Sequence, residues 1–203
     1  MPSPQEMIDA IRRCDRGALL TLYDQIGSRR TPDFWADGMA LEHLVLRAFE
    51  LEGVEVQWPY RVPMPTSETT MEQIDGVLYI DGLAILVETK DTREPQNVEP
   101  VAKLRSQLDR RPPQVLGLVL SRTGFTAPAA TLTRLISGGR IMLWTGDELR
   151  YALVNAQVVH GFRSKYRQMI EQAIPDLLII PTSSLSVPEV ISRGIANGND
   201  VQS

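Results

Sequence analysis

Cysteine is nearly absent from this chain of 203 residues: Cys14 stands alone, so no internal disulfide can form. A reducing compartment, the cytoplasm, is the expectation. No apolar run approaches the roughly twenty residues that a membrane-spanning helix needs. The opening MPSPQEMIDAIRRCDRG also lacks the apolar core of an export signal. Only two histidines occur, His43 and His160, set apart without metal-ligand spacing, and both are expected to be structural. The pair Gly138-Gly139 has no phosphate-loop context and is read as a turn. There is no internal repeat and no low-complexity tract. A net positive charge is missing too, since 25 acids outnumber 21 lysines and arginines. What remains is an ordinary soluble mixture, 43% hydrophobic and 23% charged, long enough for one domain with a real core.

The charge is unevenly spread. Residues 1–92 carry 16 acids against 8 bases, whereas residues 93–140 carry 8 bases against 3 acids. The middle segment is therefore the part able to meet phosphates, because local field matters more than the total. Apolar spacing marks the elements. Residues 1–30 read as helical, with Ser3 as cap and Pro4 in the first turn. A second amphipathic helix is expected from Trp35 to Glu52 and a strand over 54–58. Pro59, Pro63, Pro65 and the run TSETT predict an irregular connection. Further on come the paired runs IDGVLYI and LAILVETK, a helix over 101–110, a strand over 115–121, and a helix over 129–137. A strand over 141–144 and helices from 147 and over 158–173 follow, and the tail after Pro181 is expected to fray. Helices on both faces of a mixed sheet, an α/β three-layer core, are the architecture this order implies.

Asp81-Gly82 between the paired runs is a strong hairpin signal. Counting outward from Ile80 opposite Leu83 sets Asp75 opposite Glu88, on one face, with Cβ atoms about 5 Å apart. Lys90 shares the parity of Glu88. Val77, Tyr79, Ala84 and Leu86 continue that face toward the turn, and Ile74, Leu78, Ile80, Leu83, Ile85 and Val87 are expected on the other. Two opposed carboxylates repel each other, so a shared proton, a cation or solvent must offset them. A hard divalent ion with carboxylate, water and phosphate oxygens is a natural solution.

The pattern Asp75…Glu88-Thr89-Lys90 resembles the signature of the PD-(D/E)XK nuclease superfamily. The wider run EQIDGVLYIDGLAILVETKD is similar to restriction-endonuclease-like proteins and to nuclease-related (NERD) domains, over about Met39 to Tyr151. This resemblance implies the restriction-endonuclease-like fold and metal-dependent cleavage of nucleic acid, double-stranded DNA above all. It implies that Asp75 and Glu88 hold Mg2+ (or Mn2+) and that Lys90 orients or activates the attacking water. It also implies supporting roles for Glu42, on the helix before the core, and for Gln107, on the helix after the hairpin, with Gln73 a looser candidate. Arg105, Arg110, Arg111 and Arg122 are expected to contact the nucleic-acid backbone. The chain divides on this reading into a helical extension (1–30), a nuclease core (31–153) and a C-terminal helix and tail (154–203). Two other readings stay open: a nucleic-acid-binding or regulatory module of the same fold without hydrolysis, and an assembly module whose helices over Met7 to Ile26 form a homodimer.

Overall fold

A computed structural model describes residues 2–36, 38–63 and 70–180. The expected frayed tail, together with Pro65 and most of the TSETT run, lies outside these residues. The chain opens with α1 (Pro4–Arg12) and α2 (Arg16–Gly27). Ser3 caps α1 through a reciprocal box with Glu6, so two otherwise unpaired N–H groups are satisfied where the sequence placed the cap. Next comes α3 (Met39–Leu51), four residues shorter at its start than the apolar spacing suggested. Gly38, in the left-handed conformation at φ 80°, breaks the chain there, and Trp35 belongs to the turn before it.

The strands are β1 (Glu55–Gln57), β2 (Tyr60–Pro63), β3 (Thr70–Ile74), β4 (Gly76–Ile80), β5 (Leu83–Lys90), β6 (Leu116–Ser121) and β7 (Ile141–Thr145). Between and after them lie α4 (Glu99–Leu108), α5 (Ala127–Ile136), α6 (Gly146–Asn155) and α7 (Val158–Gln172). The proline-rich connection is therefore not irregular throughout: β2 and β3 pair into a small antiparallel sheet of their own. The main sheet has the order β1-β4-β5-β6-β7. β1, β4 and β5 are antiparallel neighbours, while β5, β6 and β7 run parallel, joined by crossovers through α4 and α5.

The hairpin register follows from its turn. Asp81 and Gly82 both have positive φ, 52° and 79°, as a two-residue turn matching strand twist requires. Ile80 then faces Leu83, and the ladder continues to Gly76 opposite Val87. Alternation divides the core accordingly. Leu78, Ile80, Ile85, Val87, Leu118 and Trp144 pack with α2, α3, α6 and α7 on one side. Val77, Leu86, Val119 and Leu143 pack against Val101, Leu104 and Leu108 of α4 on the other. Ile74 joins them there rather than the Leu78 face expected of it, because it belongs to the β2–β3 pair and not to the hairpin. The apolar stripe of the N-terminal helices, Ile11, Leu19, Leu22, Tyr23 and Ile26, is consumed in the first of these cores.

Candidate active site

Glu88 lies on the α4 side of β5 and is 1% exposed. A carboxylate buried to this degree must be paired. Two lysines do so. Lys90, two residues on along the same face, places Nζ 2.7 Å from Oε1. Lys103, reaching in from α4, donates to Oε1 at 2.9 Å and to Oε2 at 2.7 Å. Lys90 is the partner that strand alternation predicts. Lys103 is not among the expected site residues, although it lies one helical turn before Gln107, which was expected, and i,i+4 positions share a helix face.

Asp75 stands where the chain leaves β3 for β4, one position beyond the end of the hairpin ladder. The expected cross-strand pair with Glu88 is thus replaced by a different contact. The next residue back, Ile74, already pairs with Tyr60 of β2, so the chain forks at Asp75 and the ladder cannot extend to it. Its carboxylate Oδ2 accepts instead from the N–H and hydroxyl of Thr89, at 2.7 and 2.8 Å. Thr89 adjoins Glu88, so the two acids stay neighbours, and the Glu88 charge acts on Asp75. Gly76 makes this placement possible: a Cβ there would sit 2.6 Å from a methyl of Leu46 on α3.

Glu42 comes from α3, on the opposite face of the sheet from α4. It is buried. Its pKa is pushed up to about 8, first by burial and then by the charges of Asp75 and Glu88, against the opposing pull of Lys103 and Lys90. Burial also pushes Asp75 up; Glu88 adds to this, and the two Thr89 bonds hold it partly back. Burial acts on Lys90 the other way, but the hydrogen bond to Glu88 and the charges of Glu88, Asp75 and Glu99 outweigh it, so its pKa is raised. Lys90 is therefore an ammonium throughout the neutral range. Three acids from two layers and two lysines thus share one electrostatic site.

Gln107 is buried on α4, and its Nε2 donates to the backbone carbonyl of Gln73 at 3.3 Å. Its Oε1 is buried without a hydrogen-bond partner among the described residues. Gln73 itself is exposed and enters through its backbone. His43 is buried between the rings of Trp35 and Trp58, its Nδ1 donating to the Met39 carbonyl, a structural role. His160 is exposed on α7.

The four arginines divide. Arg122 is 15% exposed and is held by Asp91 and the Thr92 carbonyl. Arg111 is equally enclosed, bonded to Glu72 and to the Gln107 carbonyl. Arg110 also pairs with Glu72 but keeps an exposed side chain, and Arg105 pairs with Asp109 on the surface of α4. All four are paired with acids, Arg111 and Arg122 in more enclosed positions than Arg105 and Arg110. A cleft of about 570 Å³ is lined by Arg29, Trp35, Gly38, Ala40, Asp91 and Arg93 among others. Asp75, Glu88, Lys90 and Glu42 do not line this cleft; Glu42 and Gln73 instead line a smaller hollow with Met39, His43 and Trp58.

The donor set is all hard oxygen, and the raised pKa values of Glu42 and Asp75 mark crowded negative charge that a cation would relieve. Among the described residues no three His, Cys, Asp or Glu side chains stand close enough to hold a metal ion by themselves. The arrangement suits an ion gripped by two carboxylates with water or phosphate completing its shell, the usual habit of magnesium.

Residues 36–153 match the family model Mrr_cat, described as restriction endonuclease. This chain belongs to that family. The α/β fold, a mixed five-stranded sheet between helical layers, is the restriction-endonuclease-like one. Among solved structures, similarity extends to a protein of unknown function, AF1548, at 18% identity over 52% of this chain and 56% of that one, with a TM-score of 0.38. It extends also to the MspJI restriction endonuclease in complex with a 27-mer oligonucleotide, at 16% identity over 87% and 39%, TM-score 0.40. The DNA modification-dependent restriction endonuclease AspBHI is similar at 14% identity over 81% and 43%, TM-score 0.35. The chain thus spans less than two thirds of the length of each. No curated protein matches it. No helix among the described residues is long and apolar enough to cross a membrane.

Proposed function

We propose that this restriction-endonuclease-family chain hydrolyses phosphodiester bonds in double-stranded DNA as an endonuclease, with Mg2+ or Mn2+ held by Asp75 and Glu88. The observation that carries this reading is the buried Glu88 beside Asp75, paired by two lysines near the fork between the two sheets. The catalytic unit is assigned to residues 31–153, extended by the helical residues 1–30 and by 154–203.

Each residue has a task that its surroundings support. Asp75, fixed on Thr89, offers an oxygen to the ion. Glu88 offers a second, from a position that water barely reaches. Lys90, kept protonated, does not act as a base; it stabilises the negative charge that grows on the phosphate and orients the attacking water. Glu42, which holds a proton in the metal-free protein, would give it up more readily beside a bound cation and so accept from a water of the ion's shell. The bound ion would supply Lewis-acid polarisation of the phosphate and a lowered pKa for a water. Gln107 anchors Gln73 and through it the strand that enters Asp75. Arg105 on α4, Arg110 and Arg111 in the turn after it, and Arg122 just past β6 would touch phosphates, and the cleft with Arg29 and Arg93 on its walls would take a further part of the substrate strand. Contacts of that kind supply affinity that falls with salt and no sequence readout.

The test is supercoiled plasmid incubated with purified wild type and with Glu88→Ala, in Mg2+, in Mn2+ and in chelator. Nicking or linearisation by wild type with metal alone, absent in Glu88→Ala, is the expected pattern. DNA binding without cutting under every metal condition would favour the non-catalytic module instead.

A further inference from the structure

Both oxygens of a fully buried carboxylate are already taken, by two cations that differ in kind. Lys90 belongs to the same strand as Glu88 and reaches it from the adjacent position of one face. Its strand is paired to β6 there, at Lys90 opposite Ser121, and its side chain is the less exposed of the two, at 34%. Lys103 belongs to the overlying helix, is 47% exposed, and straddles Oε1 and Oε2. Among the described residues it pairs with no other acid within 4 Å, so a rotation of its long side chain carries it into solvent once another cation takes its place on Glu88. An ion that is to grip Glu88 needs one of those oxygens.

We infer that Lys103 is an exchangeable counter-cation: it neutralises Glu88 in the metal-free protein, and a divalent ion must displace it. The inference rests on the proposed metal site. Displacement has two consequences for this chain. The protein folds without metal, since buried Glu88 never lacks a positive partner. Metal binding is weakened in proportion, because the ion must remove an ammonium rather than fill an open carboxylate. Once released, the ammonium of Lys103 lies on the exposed side of α4, where an approaching phosphate would meet it.

The experiment is calorimetric titration of the full chain with Mn2+, without nucleic acid, for wild type, Lys103→Met, Lys103→Gln, Lys103→Arg and Glu88→Gln. Cooperative thermal unfolding checks that each is folded. Removing the competitor tightens Mn2+ binding about tenfold in Lys103→Met and Lys103→Gln, while Lys103→Arg stays within about twofold of wild type. Unchanged or weaker binding in both neutral variants, with binding still lost in Glu88→Gln, overturns the counter-cation role and leaves the metal site standing. Equal binding in wild type and Glu88→Gln overturns both.

Discussion

Asp75 is held by Thr89 rather than by its cross-strand neighbour: one carboxylate oxygen accepts both the N–H and the hydroxyl of Thr89, at 2.7 and 2.8 Å. This contact sets one acid of the site at a fork between two sheets, with its other oxygen taking neither bond. Glu88, next along the chain from Thr89, needs no such anchoring, because burial in β5 already fixes it. A site built in this way has one acid oriented by a threonine and one by burial together with two lysines.

The proton on Glu42 makes stability depend on pH. Its pKa rises from 4.5 in the unfolded chain to about 8 in the folded one. Between those values the folded state holds a proton that the unfolded state releases, so stability falls as pH rises through that window. Asp75, also raised, adds a slope of the same sign. Urea unfolding at pH 5.5 and pH 8 should show the metal-free protein less stable at the higher pH, and Glu42→Gln should reduce the difference. An unchanged slope in that variant would mean that Glu42 does not carry the proton.

Lys90 acts by charge. Lys90→Met should lower kcat about 100- to 1000-fold, the size of effect expected when one stabiliser of developing charge is lost. Lys90→Arg should recover part of it. Because the pKa of Lys90 is raised, the wild-type rate should show no titration of this lysine between pH 6 and 9. Full activity in Lys90→Met would remove the residue from the mechanism.

A second buried pair holds the far side of the fold. Lys165 and Glu148, neither exposed, meet at 2.6 Å beneath α7, and Glu148 also accepts from the N–H groups of Thr145 and Ile179. Lys165→Met strands a buried carboxylate and should cost about 3–5 kcal/mol. The double variant Lys165→Met with Glu148→Gln should be more stable than Lys165→Met alone. Denaturant unfolding measures both, and additive losses would contradict the pairing.

Much of this was legible in the residues. Asp81-Gly82 set the hairpin register, and the period of two then separated Glu88 and Lys90 from Leu78 and Ile85. The capping residues Ser3 and Pro4 marked the first helix. The β2–β3 pair was hidden because its strands are short and flanked by prolines, whose missing N–H groups argue against a ladder. That hidden pair is also why Asp75 could not meet Glu88 directly. Lys103 was missed because its role depends on how α4 packs over β5, a tertiary fact, although its spacing from Gln107 was a usable hint. The arginines read as a basic patch were in part bound to Glu72 and Asp91, partners far apart in sequence.

The central claim is that one ion is held by both Asp75 and Glu88. Crystals soaked in Mn2+ and measured for anomalous scattering test it directly. A peak within about 2.2 Å of a carboxylate oxygen from each residue, lost in Glu88→Ala crystals, is the predicted result. A peak away from these two side chains, or none while the protein still cuts DNA, would contradict it.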